Sequence, residues 1–339
     1  MGGEFGRWLA TLSLVVLATT AGGAGAAQGA EIRLAKQLSM GYVQFDIMEH
    51  RKLIEKHAKA GGLGDVRVTW ATFSGPDAMN TALLAGDVDV VSGGVPGLVL
   101  LWAKTRGTPQ EIRGISALSS QPFLLNTRNP KVKTVRDFTE ASRIAVPAIG
   151  ISVQAVTLRM AVAQAFGKEQ YAKLDHLTVA LPPPDASAGL ISGGGAFDSA
   201  FSVPPYQNQQ LANPEIHTVL NSFDVLGGSH SFTVAWTWRK FHEANPKLYR
   251  ALFDALAEAT DILNADKRAA AALWRQDTNS KLPADLVYEV IGGPQVKWTL
   301  TPERTMQYAR FMYEVGIVKA VPASWRDLFF PEVHGANGT

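Results

Sequence analysis

The sequence predicts an α/β protein of two lobes, each a mostly parallel sheet with helices on both faces, and three observations carry that prediction. A block of chain occurs twice. Within each copy short apolar strands alternate with helical stretches, which calls for parallel pairing, because a strand followed by a helix returns to the same edge direction. The chain of 339 residues is also longer than one hydrophobic core usually serves.

The duplication is read from LLAGDVDVVSGGVP (Leu83 to Pro96), which returns as ISGGGAFDSAFSVPP (Ile191 to Pro205). At one constant interval Gly41 pairs with Gly150, Gly86 with Gly195, Asp89 with Asp198 and Pro96 with Pro205. Each copy opens on a strand (Ile32 to Ala35; Arg143 to Val146), then a glycine-bearing loop, then a long helix (Val43 to Ala60; Val153 to Phe166). A second strand follows (Val66 to Ala71; Leu177 to Leu181), and Pro76-Asp77 or Pro184-Asp185 opens a helix that stops at Gly86 or Gly193. The third strand (Asp89 to Val91; Asp198 to Phe201) ends at Gly or Ser before a proline.

Ile115 to Thr127 reads as the crossover into the second lobe, and Phe232 to Trp238, with its alternating apolar pattern, as the strand that carries the chain back. Helices over Lys247 to Leu263, Asp266 to Gln276 and Glu303 to Val315 close the sequence. Two crossings between matched lobes describe a hinge and a cleft.

Ahead of the first copy, Arg7 precedes an apolar run from Trp8 to Thr19 and the small residues Ala21 to Ala27. That is the pattern of a secretory signal peptide, with cleavage expected after Ala26 or Ala27. The expected organisation is therefore a signal peptide over 1–27, a first lobe over 28–118 and 229–339, and a second lobe over 119–228. No later segment offers the roughly 18 apolar residues a bilayer span requires, so the mature chain is expected to be soluble in a periplasm, without membrane insertion.

The absence of cysteine removes disulfides, thiolate nucleophiles, zinc–thiolate sites and a lipid-attachment residue together. A formal charge of only +2, with no basic run, excludes nucleic acid and anionic membrane as natural partners. Seven histidines are scattered without metal-ligand spacing. His50 and His57 lie on a charged helix face, whereas His230, near the second crossing, is the one histidine with a plausible cleft position.

LLAGDVDVV with FDSAFSVPP, NPKVKTVRDF (Asn129 to Phe138) and RIAVPAIGIS, in that order, carry a family likeness. From Ile32 to about Trp238 the chain resembles the nitrate/sulfonate/taurine-type solute receptors of ABC importers, which have the type II periplasmic binding fold. The resemblance implies two α/β lobes joined by two crossover strands with C-terminal helices, capture of a small solute by lobe closure, and delivery to a permease and its ATPase. It implies a monomer with no cofactor, no metal and no catalytic residue. Thr139 to Ser142 departs from the Gly-Lys turn such receptors often carry, so the ligand does not transfer with the fold.

In an open parallel sheet a ligand sits beyond the carboxyl ends of the strands, where helix N-termini present unpaired N–H groups. The loops so defined are Ser39 to Tyr42, Phe73 to Gly75, Ser92 to Val95, Gly150 to Gln154 and Ser202 to Val203, bordered by the first crossover. The expected ligand residues are Ser39, Gly41, Tyr42, Phe73, Ser74, Ser92, Gly93, Ser119, Ser120, Gln121, Gly150, Ile151, Ser152, Val153, Phe201 and Ser202. These segments are poor in charge, so an anionic or zwitterionic organic solute, sulfonate- or carboxylate-like, would be held by N–H groups and hydroxyls. Ser39, Ser92 and Ser152 equally suit helix caps, and Tyr42, Phe73 and Phe201 equally suit the core. Asp89 and Asp198, matched in both copies, are expected to orient local backbone.

The competing reading is an enzyme, periplasmic or of the pyrimidine-synthesis type on the same fold. Gly150-Ile151-Ser152-Val153-Gln154 lacks the last glycine of a nucleophile elbow, and there is no phosphate-binding loop motif. A scaffold protein would not need two matched, cleft-forming halves.

Overall fold

The computed structural model describes residues 30–339, and the predicted signal peptide lies outside them. The first sheet receives β1 (Glu31–Gln37), β2 (Arg67–Phe73), β3 (Val90–Gly94) and β4 (Ile112–Ser120), interleaved with α1 (Val43–Arg51), α2 (Leu53–Ala60), α3 (Pro76–Ala85) and α4 (Val95–Thr105). The chain then leaves for a second sheet made of β5 (Leu124–Thr127), β6 (Ile144–Val146), β7 (Thr178–Ala180), β8 (Ser199–Phe201) and β9 (His217–Asn221). Its helices are α5 (Val153–Phe166), α6 (Pro183–Ser192), α7 (Tyr206–Leu211) and α8 (Ser222–Leu226). On returning, the chain adds β10 (Thr233–Trp238), α9 (Arg239–Ala244), α10 (Pro246–Ala265), α11 (Lys267–Asp277), α12 (Ala284–Gly292), β11 (Lys297–Trp298), α13 (Thr305–Glu314) and α14 (Trp325–Leu328).

The sheets have matching strand orders, β11-β4-β10-β3-β1-β2 and β9-β5-β8-β6-β7. In each, the three strands of the duplicated unit pair in parallel, and the fourth is antiparallel: β10 on β3, β5 on β8. That fourth strand is the returning strand in one lobe and the departing strand in the other.

The matched aspartates do the same task twice. Asp89 accepts from the backbone N–H of Arg33 at 2.9 Å, and Asp198 from that of Arg143 at 3.1 Å, so each pins the start of the first strand to the start of the third. A threonine on each antiparallel strand, Thr237 or Thr127, donates to the same aspartate's carbonyl at 2.6 and 2.9 Å. Asp89→Ala strands the Arg33 N–H and frees its guanidinium. We expect a loss of about 2 kcal/mol in urea unfolding, the usual worth of a hydrogen bond to a charged group, with no change in the slope.

Buried side chains coat both faces of the first sheet. One cluster joins Ile32, Leu34 and Val90 to α1, α2 and the buried stripe of α10 (Leu248, Leu252, Leu256, Leu263). The other runs from Val91 and α4 through Phe123, Phe201 and Phe232 into the second lobe, so one core is continuous across the crossings.

Several expectations need correction. The helix foreseen over Val43 to Ala60 is two, broken at Lys52, whose φ of 52° is left-handed. The first crossing is short: β4 stays in the first sheet to Ser120 and β5 enters the second at Leu124. The strand read as the return crossing, β10, lies wholly in the first sheet, and the crossing itself is α8 and the loop behind it. The constant interval slips as well. Arg33 corresponds to Arg143 by their aspartate bonds, which moves Gly41 out of register with Gly150, and the left-handed helix stop matching Gly86 is Gly193 rather than Gly195. Strands β9 and β11 and helices α9 and α14 are too short to show a period, whereas α12 carries a helical spacing at Val287, Val290 and Ile291 that the sequence reading missed.

Candidate ligand-binding cleft

The carboxyl ends of β1, β3, β6 and β8 face one another, and helices begin there. Proline opens α3 at Pro76 and α6 at Pro183, which suits a first-turn position whose N–H is unpaired in any case. Neither helix has a side-chain cap, nor has α4, whose N-cap is Gly94. Only α5 is capped: the Ser152 hydroxyl accepts from Ala155 N–H at 3.2 Å and donates to Ala148 carbonyl at 2.7 Å. Four helix N-termini thus ring one cleft and give it a positive potential.

From the first lobe the cleft is lined by Gln37, Leu38, Ser39, Tyr42, Ser74, Pro76, Gly94, Gly97, Phe232 and Trp236. From the second come Pro147, Ile151, Ser152, Val153, Gln154, Pro183 and Val203. Tyr42 is the only ionisable residue among them, and burial pushes its phenol far above the ordinary range, so it stays neutral. The guanidinium nearest the loop, Arg159, is spent beneath it, donating to Gly150 carbonyl at 3.1 Å and paired with Asp175 at 2.6 Å. An anion here would meet N–H groups, hydroxyls and amides rather than a counter-charge.

The lobes touch. Ser39 Oγ and Met40 N–H both donate to Pro204 carbonyl at 3.0 Å across the gap, and a Cβ on Gly94 would fall 2.5 Å from Val153 Cβ. The enclosed cavity is only about 30 Å³, room for a water or two. A solute of several heavy atoms therefore needs the lobes to part. Trp236, on the cleft floor and 1% exposed, packs its six-membered ring against Gly93 and Gly97, and its indole N–H is buried without an acceptor.

The hinge is held by a buried cluster. Phe123 N–H donates to Ser222 Oγ at 3.1 Å, and Ser222 N–H to Phe123 carbonyl at 3.0 Å, which binds the two crossings together. His230, fully buried, lies 3.0 Å from both Ser231 carbonyl (through Nδ1) and Ser222 Oγ (through Nε2). A neutral ring protonated on Nδ1 satisfies both bonds, and Phe123, Phe223 and Tyr308 pack around it edge-on. Burial lowers its pKa to about 4. His230 is thus a hinge residue and not a cleft residue.

Of the residues expected at the cleft, Ser39, Tyr42, Ser74, Ile151, Ser152 and Val153 line it. The rest turn elsewhere. Gly41 is buried against Phe232, 2.5 Å from where its Cβ would sit, and its carbonyl accepts from Ser119 and Thr233 hydroxyls. Ser92 donates to Ala35 carbonyl, Ser120 pairs with Ser229, and Ser202 accepts from Gln210. Gly93 is packed under Gln37 and Trp236, leaving its neighbour Gly94 at the surface of the cleft. Phe73 and Phe201 join the core, and Gly150, at φ 78°, makes the turn above Arg159. Gln121 borders a different cavity.

Reasoning from sequence missed Gln37, Leu38, Pro76, Gly97, Pro147, Pro183, Phe232 and Trp236. The duplication held a signal for some: Gln37 corresponds to Pro147 in the corrected register, and Pro76 to Pro183 as helix starts. Trp236 had none, since it reaches the cleft only because β10 inserts beside β3.

Two lobes closing on a cleft at strand ends define the periplasmic binding protein fold, and solved structures with it superimpose on this chain. The alkanesulfonate-binding protein SsuA from Xanthomonas axonopodis pv. citri, bound to MOPS, is similar with a TM-score of 0.68 at 17% identity, over 86% of this chain and 96% of that one. The periplasmic aliphatic sulphonate-binding protein SsuA from Escherichia coli gives 0.64 at 18%, over 91% and 99%. The periplasmic nitrate-binding protein NrtA from Synechocystis PCC 6803 gives 0.66 at 16%, over 88% and 83%. These three are binding proteins. No curated protein matches the chain in sequence. The model of the NMT1-like family matches residues 25–275, and the chain belongs to that family.

Proposed function

We propose that this protein is an exported solute receptor that captures a small anionic or zwitterionic organic molecule, sulfonate- or carboxylate-like, and hands it to the permease and ATPase of an ABC importer. The observation that carries this reading is the ring of four helix N-termini around a cleft whose lining has no charged side chain. Such a site attracts an oxyanion through fixed dipoles and releases it without breaking a salt bridge. The sulfonate and nitrate receptors that share the fold support the ligand class. The leader sequence supports export, and among the described residues no helix is long and apolar enough to cross a membrane. Binding without chemistry is favoured because the lining offers no carboxylate, imidazole or ammonium for proton transfer.

The test is a thermal-shift titration with short alkanesulfonates, carboxylates, taurine and nitrate. A cognate solute should raise stability by about 2.7 kcal/mol at a hundredfold excess over its Kd, and alkylammonium ions should not act through this cleft. If no anion shifts the transition, and an ester or phosphate is turned over instead, the receptor reading is wrong.

A further inference from the structure

Four helix N-termini surround the cleft, but three of them are short of donors. Proline stands in the first turn of α3 (Pro76), α4 (Pro96) and α6 (Pro183 and Pro184), and proline has no N–H. Helix α5 opens on Val153-Gln154-Ala155 with none. There the Ser152 hydroxyl takes up only Ala155 N–H, and the backbone N–H groups of Ile151, Val153 and Gln154 have no partner among the described residues. The Gln154 side chain is a second, separate sign of an occupant. The residue is 5% exposed and lines the cavity, and its carboxamide has no partner among the described residues. Unlike the sealed indole N–H of Trp236, that carboxamide keeps accessible surface.

Ile151 precedes the helix, so the helix does not aim its N–H. Arg159 does. The carbonyl of the same peptide unit, that of Gly150, accepts from Arg159 Nη1 at 3.1 Å, and in a trans peptide C=O and N–H point opposite ways. Asp175 fixes the guanidinium, accepting from Nε at 3.0 Å and from Nη2 at 2.6 Å, and Tyr171 lies under its plane at 5.8 Å. Gly150 is left-handed at φ 78°, and a Cβ there would fall 3.2 Å from Arg159 Nη2, so the turn sits directly on this side chain. With the carbonyl held from beneath, Ile151 N–H is turned toward the face where Ile151 lines the cavity. A charged donor on the carbonyl also polarises the peptide and strengthens its N–H as a donor. We infer that Arg159 is a positioning residue for solute capture: it sets the Gly150–Ile151 peptide so that Ile151 N–H joins Val153, Gln154 and the Gln154 carboxamide in holding the acidic head of the solute on α5. The inference rests on the receptor reading and adds that the second lobe takes the acidic group, which leaves Tyr42, Phe232 and Trp236 of the first lobe to face the rest of the molecule.

The experiment is backbone-amide NMR with affinity titration of the full mature chain, using ethanesulfonate and propionate on wild type, Arg159→Met and Asp89→Ala. Methionine keeps the length of the side chain but cannot donate to Gly150. At least one anion should bind wild type, move the Ile151 amide resonance downfield and slow its hydrogen exchange. Arg159→Met should weaken that binding tenfold or more and abolish the Ile151 response. Asp89→Ala, which loosens the fold at the opposite end of the first sheet, should bind within threefold of wild type. Equal affinity in Arg159→Met and wild type overturns the inference and leaves the receptor reading standing. So does an Ile151 amide in wild type that ignores a bound anion, a result that needs no variant to fold. An equal loss of affinity in Asp89→Ala also overturns it, by tracing the effect to stability alone. Wild type that binds neither anion removes the receptor reading and the inference together.

Discussion

Gly94→Ala should open the ligand-free protein while leaving each lobe folded. At φ −72° and ψ 151° the Gly94 backbone accepts any residue, so the substitution strains nothing locally. The added Cβ would instead meet Val153 of the opposite lobe, at 2.5 Å from its Cβ and 2.9 Å from its Cγ1. Overpacking of that kind costs about 1–3 kcal/mol, and here the cost falls on the closed arrangement alone. Small-angle scattering should report a larger radius of gyration for the ligand-free variant. The double variant Gly94→Ala with Val153→Gly removes the opposing Cβ and should regain compactness. A Gly94→Ala protein as compact as wild type would show that this contact does not govern closure.

The hinge should make stability depend on pH through His230. The folded ring titrates near pH 4 and a free histidine near 6.5, because burial opposes the charged form more than nearby Glu303 favours it, while Arg304 disfavours it further. Between those values the unfolded chain binds the proton that the folded chain refuses, so stability falls as the medium is acidified. The contribution is complete above pH 6.5 and is lost by about 1.4 kcal/mol per pH unit on acidification, the total loss being about 3 kcal/mol near pH 4. Protonation would also put a donor on Nε2, where the neutral ring accepts from Ser222, and would disturb the bond that joins the crossings. Denaturant unfolding of His230→Gln across this range, subtracted from wild type, should recover that slope. A flat difference curve would mean that the ring is solvated or already charged.

Much of the local architecture was legible because it is written in neighbours along the chain. Pro76 and Gly86 delimit α3, Ser152 and Gly167 delimit α5, and the signal of α5 was read to the residue. Asp89 and Asp198 were recognised as backbone anchors from their recurrence alone, and hydrogen bonding gives both that role. The loops expected to form the cleft meet there in the structure, while the side chains that line the cavity stand one or two residues from the expected ones at several of them. Which member of Ser92-Gly93-Gly94 faces the gap depends on strand pleat and on what stands behind it, and Gln37 and Trp236 fill the space behind Gly93. Serine repetition misled in the same way, since the hydroxyls of Ser92, Ser119, Ser120 and Ser202 are consumed within the lobes and crossings.

What the sequence alone determined was the duplicated strand–helix unit, and with it two matched sheets whose helix N-termini gather at one end. Periodicity, caps and turns are short-range, so each copy states them for itself. Tertiary structure alone decided the insertion of β10 beside β3 and of β5 beside β8, the placing of Trp236 and Phe232 on the cleft floor, and the burial of His230 and Gln121 at the crossings. Those features depend on contacts between segments more than a hundred residues apart, as in the Ser119–Thr233 and Ser39–Pro204 bonds. No local pattern encodes which distant surface a side chain will meet.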